Sequence, residues 1–188
     1  MSQNYIVLDR DGVINVDLFD YVLEKETFEF EEGSIDAIAT LTKHNFKIII
    51  ATNQTCINLG LISSQGIEEI NNYWIDEVKK NNGDVLHVEV CPHEKSENCD
   101  CRKPRTGLLK SAEKKLNISL KNCFFVGDKL SDLECAVSHG CKPILVRTGY
   151  GTITEAAEFP SETKVFDNLK TAVQWICLLY TSPSPRDH

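Results

Sequence analysis

The stretch Tyr5-Ile6-Val7-Leu8-Asp9-Arg10-Asp11-Gly12 decides how the rest of the chain is interpreted, because an apolar run leads directly into two carboxylates. The apolar residues predict a buried strand that ends at Asp9. Gly12 permits a tight turn after the acidic pair. An acidic loop without a function would have the same composition. Carboxylates at the end of a buried strand can also hold Mg²⁺, and one of them can attack phosphorus while the other moves a proton.

Apolar runs and helical patterns alternate along the chain after this first strand. Further strands are predicted at 46–51, 85–90, 123–126 and 143–146, and helices at 33–45, 63–83, 106–116 and from the pattern Ser131-x-x-Glu134 onwards. The alternation predicts an α/β fold: a Rossmann-like parallel sheet of about five strands with helices on both faces. Ligands of such sheets bind beyond the carboxyl ends of the strands.

The spacing of the elements predicts one domain over residues 1–177. The segment between Asp11 and Thr52 is too short for a large cap domain once a helix and a strand are placed in it. Residues 178–188 are rich in Ser and Pro, and we expect them to be a disordered or non-native tail.

Composition narrows the classes of function. The 188 residues carry a net charge of −8, which disfavours nucleic acid as a partner because phosphate backbones are held by Lys and Arg. Neither a secretory signal nor an apolar run of membrane-spanning length is visible, so we expect a cytoplasmic protein without a membrane partner. No apolar stripe is left unassigned, which favours a monomer. Eight cysteines in a reducing compartment point to a metal site rather than to disulfides.

Four of the candidate metal ligands occur within eleven residues: Cys91, His93, Cys99 and Cys101. Three thiols and one imidazole form a complete tetrahedral ligand set for Zn²⁺. Because no coordination position would remain open, such a zinc would be structural and would fix the loop that leads into Arg102-Lys103-Pro104. Coincidental clustering of thiols is the alternative.

Further polar residues follow other predicted strands. Asp128 could add metal-binding charge, although it could instead cap a helix. Thr52 and Asn53 could offer hydroxyl, amide and backbone N–H groups to phosphate oxygens, although a turn without a function is also compatible with them. Lys103 could neutralise charge that develops during phosphoryl transfer, and only its position beside the zinc loop distinguishes it from a surface lysine.

Taken in order, these motifs resemble those of the haloacid dehalogenase superfamily of phosphatases over roughly residues 4–176. The matching segments are Asp9 to Asn15, Thr52-Asn53-Gln54, Cys91-Pro92-His93 with Cys99 to Pro104, and Gly127-Asp128-Lys129-x-x-Asp132. The zinc loop followed by Arg-Lys-Pro is similar to that of one subgroup. Members of this subgroup act on D-glycero-D-manno-heptose 1,7-bisphosphate or on histidinol phosphate.

The resemblance implies a set of roles for these residues. Asp9 would be the nucleophile and Asp11 the acid/base, while Mg²⁺ would be bound by Asp9, Asp11 and Asp128. Arg102, Lys103 and Lys129 would contact the substrate. The expected reaction is removal of the 7-phosphate of the heptose bisphosphate, a small phosphorylated sugar used in heptose biosynthesis for lipopolysaccharide. The segments most similar to that enzyme are Asn15-Val16-Asp17, Phe28-Glu29-Phe30-x-x-Gly33, Gly127-Asp128-Lys129 and 145–149.

One segment departs from the subgroup. Thr55-Cys56-Ile57-Asn58-Leu59-Gly60 stands where Ser-Gly-Ile-Ala-Arg-Gly is usual. The change leaves the catalytic set intact and affects specificity. Histidinol-phosphate hydrolysis and a non-catalytic, zinc-stapled phosphate-binding module therefore remain alternatives, whereas DNA 3′-phosphatase activity is disfavoured by the acidic charge.

Overall fold

Six apolar segments form one parallel sheet in the computed structural model, which describes residues 3–181. The strands are β1 (Asn4–Leu8), β2 (Phe46–Asn53), β3 (His87–Cys91), β4 (Phe124–Gly127), β5 (Lys142–Val146) and β6 (Lys164–Phe166). Their order across the sheet is β3-β2-β1-β4-β5-β6, and every pairing is parallel. The predicted fold class is confirmed, with six strands instead of about five.

The first five helices connect consecutive strands and the sixth follows β6, and together they cover both faces of the sheet. They are α1 (Ser34–Lys43), α2 (Ser64–Lys80), α3 (Gly107–Leu116), α4 (Leu130–His139), α5 (Gly151–Ala156) and α6 (Leu169–Thr181), with single 3₁₀ turns at Lys25–Thr27 and Lys95–Glu97. Helix α2 begins where the sequence predicts, because Ser63 Oγ accepts a hydrogen bond of 3.0 Å from Gly66 N.

The core divides into two layers because side chains on a strand alternate between faces. Ile6 and Leu8 of β1 pack with Ile38 of α1 and Trp74 of α2 on one face. Val7 of β1 packs on the opposite face with residues of α3 and α4. All of these apolar side chains are buried, so β1 is the centre of the molecule and its end is held rigidly.

One strand was not predicted, and one local prediction was wrong. Strand β6 has only three residues, and these are at most half-buried, so it lacks the apolar run by which the other strands are recognised. Helix α4 begins at Leu130 and not after a Ser131–Glu134 capping box, because the carboxylate of Asp132 accepts the hydrogen bond from Lys129 N at 3.2 Å. The acid that closes the first turn is therefore Asp132.

The tail was predicted to begin at residue 178, which is earlier than the end of the last helix. Helix α6 continues through Thr181, and the ring of Tyr180 meets Phe46 edge-on with centroids 5.1 Å apart. Residues 178–181 are therefore helical, which the polar sequence after them obscures. Residues 182–188 lie outside the described part of the chain, and their assignment as a tail stays a prediction.

The strand order creates a crevice beside β1. From β1 the chain adds strands on one side up to β3, and then returns to add β4 to β6 on the other side. Ligands of open parallel sheets bind at such a reversal, beyond the carboxyl ends of the two central strands. Asp9 follows β1 and Asp128 follows β4 at this point. Within residues 3–181, no helix is both long and apolar enough to cross a bilayer.

Candidate active site

Asp9 lies at the floor of the crevice. Its backbone N–H continues the sheet with a bond of 3.0 Å to Val126 O, so the end of β1 fixes its position. Its Oδ1 accepts hydrogen bonds from Arg10 N at 2.8 Å and lies 3.0 Å from Lys103 Nζ. Burial and the neighbouring Asp132 raise the pKa of Asp9 to about 6, although Lys103 opposes the shift.

Three buried carboxylates converge at the site: an oxygen from each of Asp9, Asp128 and Asp132 lies within 4.8 Å of the others. Asp128 Oδ2 accepts a hydrogen bond from Tyr150 N at 2.9 Å, whereas Asp128 Oδ1 is buried and has no hydrogen-bond partner within residues 3–181. Burial, then Asp9 and Asp132, raise the pKa of Asp128 well above its usual range. A hard divalent cation such as Mg²⁺ fits this set, because it would supply the missing partner and offset the repulsion.

Two glycines close tightly on Asp128. A Cβ on Gly12 would lie 2.1 Å from Asp128 Oδ2, and a Cβ on Gly149 would lie 2.3 Å from the same atom. Gly12 also has a φ of 85°, which favours glycine. Thr148 Oγ1 donates to Gly12 O at 2.6 Å and ties the two loops together. The backbone therefore determines where this carboxylate points.

Lys103 is buried and uses all three of its ammonium protons. Besides the contact with Asp9, Nζ donates to Asp132 Oδ1 at 2.7 Å and to Ala51 O at 2.8 Å. Burial would lower the pKa of Lys103, but Asp132 and Asp9 raise it above its ordinary value, so that the side chain stays charged. The structure thus places the predicted lysine against the predicted nucleophile.

Asp11 has a different environment. Its carboxylate lies outside the three-carboxylate group and accepts hydrogen bonds from Arg10 Nη2 at 3.0 Å, Asn15 Nδ2 at 2.9 Å and Gln54 Nε2 at 2.9 Å. Burial opposes ionisation, yet Arg10 and the amide donors lower the pKa of Asp11. As described, Asp11 is held ionised, which is the state of a proton acceptor.

Arg10 orients this acid from beneath. Its side chain is fully buried, and its Nη1 donates to Asn71 Oδ1 at 3.1 Å. The same oxygen of Asn71 accepts a bond of 2.9 Å from Trp74 Nε1. The buried guanidinium of Arg10 thereby links helix α2 to Asp11. Burial requires hydrogen-bond partners for such polar side chains, and Arg10, Asn71 and Trp74 supply them to one another.

The residues at the end of β2 support the site from below. Thr52 Oγ1 is buried and accepts a hydrogen bond of 2.7 Å from Gln54 Nε2. Asn53 uses its amide on the backbone of Lys103, with Nδ2 donating to Lys103 O at 3.3 Å and Oδ1 accepting from Lys103 N at 3.1 Å. Asn53 therefore fixes the lysine as well as lining the crevice.

An open cavity of about 650 Å³ lies above these residues. Its basic lining residues are Lys95, Arg102, Lys103, Arg105 and Lys129, and among residues 3–181 no Asp or Glu lines it. This contrasts with the chain's net charge of −8 and makes the cavity suited to an anion.

Lys129 stands at the rim of this cavity and is exposed over 41% of its side chain. Its Nζ lies 4.9 Å from the centre of the Tyr150 ring and 3.8 Å from Asp17 Oδ2. Burial would lower the pKa of Lys129, but Asp9 and Asp128 raise it, so that its charge is retained.

The four predicted zinc ligands come together. Cys91, Cys99 and Cys101 have sulfur–sulfur separations of 3.0, 3.6 and 3.7 Å, and His93 Nδ1 lies 3.5 Å from Cys91 Sγ and 3.2 Å from Cys101 Sγ. Ligands around tetrahedral zinc, with Zn–S of about 2.3 Å, would be about 3.7 Å apart. All eight cysteines are free thiols. The donor set therefore fits Zn²⁺.

The protonation of these thiols also suits a cation. Burial raises the pKa of Cys91, and burial together with Cys91 and Cys99 raises that of Cys101. At Cys99 burial is outweighed by hydrogen bonds, including one of 3.3 Å from Arg102 N, which lower the pKa to about 7. A divalent metal would stabilise the thiolates that burial disfavours. Only Arg102 separates the ligand Cys101 from Lys103 in the chain.

Residues at the site that were not predicted from the sequence to have a role there include Arg10, Asn15, Gln54 and Asp132. Arg10 and Gln54 lie inside the quoted motifs, but nothing in the sequence shows that both bond to Asp11. Asp132 is one helical turn after Asp128, and this spacing is the signal that could have placed both acids on one side of the start of α4.

Fold and site together define a class of protein. A parallel sheet with carboxylates at its switch point, a buried lysine and a basic cavity is suited to hydrolysis of phosphorylated substrates. Residues 100–172 match the family model described as HAD-hydrolase-like.

Comparison of the whole chain is more specific. It is 40% identical over 164 residues to the D-glycero-beta-D-manno-heptose-1,7-bisphosphate 7-phosphatase of Pseudomonas putida, covering 87% of this chain and 94% of that protein. It is also 40% identical over 161 residues to the Escherichia coli protein of the same name, covering 80% and 83%. The chain therefore belongs to the haloacid dehalogenase-like phosphatases, in the family that contains these two enzymes.

A solved structure supports this assignment. The D,D-heptose 1,7-bisphosphate phosphatase of Bordetella bronchiseptica, crystallised with magnesium and phosphate, superimposes with a TM-score of 0.91 at 32% identity. The alignment covers 94% of this chain and 99% of that one. The two proteins thus share their fold over nearly their whole length.

Proposed function

We propose that the protein is a Mg²⁺-dependent phosphoric monoester hydrolase that removes the 7-phosphate of D-glycero-D-manno-heptose 1,7-bisphosphate. The observation that carries the proposal is the position of Asp9, between the ammonium of Lys103 at 3.0 Å and the carboxylates of Asp128 and Asp132, at the switch point of the sheet. The names of the relatives favour the heptose bisphosphate as the substrate.

The first step uses the free oxygen of Asp9. Oδ1 is engaged by two N–H donors, whereas Oδ2 accepts no hydrogen bond from residues 3–181. Oδ2 would attack phosphorus to form an aspartyl-phosphate while the bond from phosphorus to the sugar O7 breaks. Lys103 and the cations of the cavity would stabilise the negative charge on the transferring group. Lys103 would also hold Asp9 in place for the attack.

Asp11 would provide the proton steps. Because the free site lowers the pKa of Asp11, the substrate or solvent would have to supply a proton to it, and Asp11 would then give that proton to the departing sugar oxygen. In the second step the ionised carboxylate would take a proton from the water that attacks the phosphoryl-Asp9, releasing phosphate and restoring the free carboxylate. The hydrogen bonds from Arg10, Asn15 and Gln54 favour the ionised form and support this second step.

Mg²⁺ would be held mainly by Asp9 and Asp128. Both oxygens of Asp132 already accept hydrogen bonds, from Lys103 Nζ and from Lys129 N, whereas Asp128 Oδ1 has no partner within residues 3–181. The role of Asp11 as a third ligand remains a prediction, since its carboxylate is bound to nitrogen donors. When bound, the cation supplies positive charge that offsets the anionic phosphoryl group.

Zn²⁺ would be held by Cys91, His93, Cys99 and Cys101 and would have a structural role. Four protein ligands leave no position for substrate. The loop that they would fix carries Lys95 and leads into Arg102 and Lys103, so that the zinc would shape the basic side of the cavity.

The proposal includes the location, the oligomeric state and the partners of the protein. We infer a cytoplasmic monomer that binds a small phosphorylated sugar and neither nucleic acid nor membrane. The free thiols are compatible with a reducing compartment, and the net charge of −8 disfavours nucleic acid.

The decisive experiment is phosphate release with Mg²⁺ from heptose 1,7-bisphosphate and from histidinol phosphate in parallel. We expect kcat/KM to favour the bisphosphate by a hundredfold or more, equivalent to about 2.7 kcal/mol of transition-state binding. The reverse preference would assign the protein to histidinol-phosphate hydrolysis. Binding of both compounds without turnover would favour the non-catalytic module.

A further inference from the structure

Thr55 belongs to the segment that departs from the subgroup, and it contacts the zinc loop. Its Oγ1 lies 3.3 Å from the backbone oxygen of His93, and it accepts a hydrogen bond of 2.6 Å from Arg102 Nη1. A hydroxyl carries one proton and two lone pairs. Because Arg102 can only donate, the proton of Thr55 is directed to His93 O and a lone pair faces the guanidinium.

This arrangement fixes one end of the Arg102 guanidinium and leaves the other available. Nη1 also donates to His93 O at 3.2 Å. Within residues 3–181 the Nε and Nη2 groups of Arg102 make no side-chain hydrogen bond, and both Arg102 and Thr55 line the basic cavity. A planar guanidinium held at one nitrogen can present its remaining N–H groups to a phosphate in a defined direction.

We propose that Thr55 is a positioning residue that aims Arg102 at the second, non-reacting phosphate of a sugar bisphosphate. The inference rests on the proposed function and deepens it, because it assigns a specificity role to a residue outside the catalytic set. The hydroxyl acts through Arg102 and does not itself touch the reacting phosphate. A threonine is suited to this role because branching at Cβ restricts χ1 and keeps Oγ1 in one direction.

A second contact joins the same two loops without involving Arg102. Asn58 Nδ2 donates to both carboxylate oxygens of Glu97 at 3.0 Å, and both residues are exposed. Removing this contact tests whether any weakening of the link between the two loops changes KM for the substrate. It therefore provides the matched control for Thr55.

The test compares the wild type with Thr55→Val, Thr55→Ser and Asn58→Ala on heptose 1,7-bisphosphate and on p-nitrophenyl phosphate, which lacks a second phosphate. Thr55→Val keeps the shape of the side chain and removes the hydroxyl. We expect it to raise KM for the bisphosphate about tenfold, with kcat within about twofold and p-nitrophenyl phosphate kinetics unchanged. Thr55→Ser should restore KM, and Asn58→Ala should leave both substrates unaffected.

Several outcomes would overturn the inference. An unchanged KM in Thr55→Val, in a preparation where Arg102→Ala raises it, would show that Arg102 needs no help from the hydroxyl. Equal losses on both substrates, or loss of zinc from Thr55→Val, would make Thr55 a general support of the loop. Failure of the wild type to hydrolyse the bisphosphate would instead refute the proposed function, and the inference with it.

Discussion

The ammonium nitrogen of Lys103 lies 2.7 Å from Asp132 Oδ1, and this ion pair is almost fully buried. The same nitrogen is 3.0 Å from Asp9 Oδ1. Asp132 therefore neutralises a lysine whose charge would otherwise be balanced in the core by Asp9 alone. Removing one partner of a buried pair leaves the other charge without compensation, which is strongly destabilising.

We predict that Asp132→Ala lowers the free energy of unfolding by about 3 kcal/mol or more. Asp132→Asn should cost less, because its amide oxygen can still accept from Lys103. Urea denaturation measures both values. Glu134→Ala, at an exposed position of α4, is the control and should change stability by less than about 0.5 kcal/mol. Similar losses in Asp132→Ala and Glu134→Ala would contradict the ion-pair argument.

Replacement of Asp9, the proposed nucleophile, should stop catalysis without unfolding the protein. We predict that Asp9→Asn lowers kcat by at least about 10³-fold and abolishes the acid-stable phosphoenzyme seen after quenching with labelled substrate. Glu158→Gln, an exposed carboxylate, should behave as the wild type. A phosphate-binding module without turnover would show no difference between the two variants.

The effect of Asp11→Asn should depend on the leaving group. A sugar alkoxide needs a proton as it departs, whereas p-nitrophenolate leaves without one. We predict a loss of about 10²-fold to 10⁴-fold in kcat on the heptose bisphosphate and a smaller loss on p-nitrophenyl phosphate. Parallel kcat measurements decide this, and equal losses on both substrates would exclude a role as the general acid.

The effect of Mg²⁺ on stability should depend on pH. Folding raises the pKa of Asp9 from 3.8 to about 6, so the folded, metal-free protein binds this proton more tightly than the unfolded chain. Its stability therefore falls as pH rises between these two values. Mg²⁺ displaces the proton, and we predict that its increase in Tm is larger near pH 7.5 than near pH 5. Thermal melts with and without Mg²⁺ test this, and equal increases at both pH values would contradict it.

Zinc removal should affect the loop and the substrate before the sheet. We predict about one zinc per chain by elemental analysis, and loss of that zinc in Cys99→Ser but not in Cys123→Ser. The Cys99→Ser variant should melt at a lower temperature and have a raised KM, because the loop carries Arg102 into the cavity. A wild-type protein purified with well under one zinc per chain would refute the structural zinc.

The sequence predicted the location of those site residues that lie at the ends of strands. Asp9, Thr52, Cys91 and Asp128 were expected at one edge because parallel strands end there together, and the structure brings them to that edge. The clustering of Cys91, His93, Cys99 and Cys101 was predictable for a different reason, since three thiols and an imidazole at short spacing are typical of a metal site.

The hydrogen-bond partners of these residues were not predictable. Gln54 reaches Asp11 across 43 positions of the chain, and Arg10 reaches Asn71 across 61. Such contacts depend on distances between loops and helices, which composition and periodicity do not specify. Asp132 illustrates a second limit of prediction from sequence, because one side chain has two roles. It accepts the hydrogen bond that starts α4, and it also pairs with Lys103.

The short connection from Cys101 to Lys103 links the two proposed metal sites by a single intervening residue. Any free energy by which zinc at the thiols strengthens magnesium binding at Asp9 and Asp128 must also appear, to the same extent, as tighter zinc binding when magnesium is present. With such coupling, an empty zinc site would lower the affinity of this protein for magnesium, and a shortage of zinc would weaken its response to magnesium.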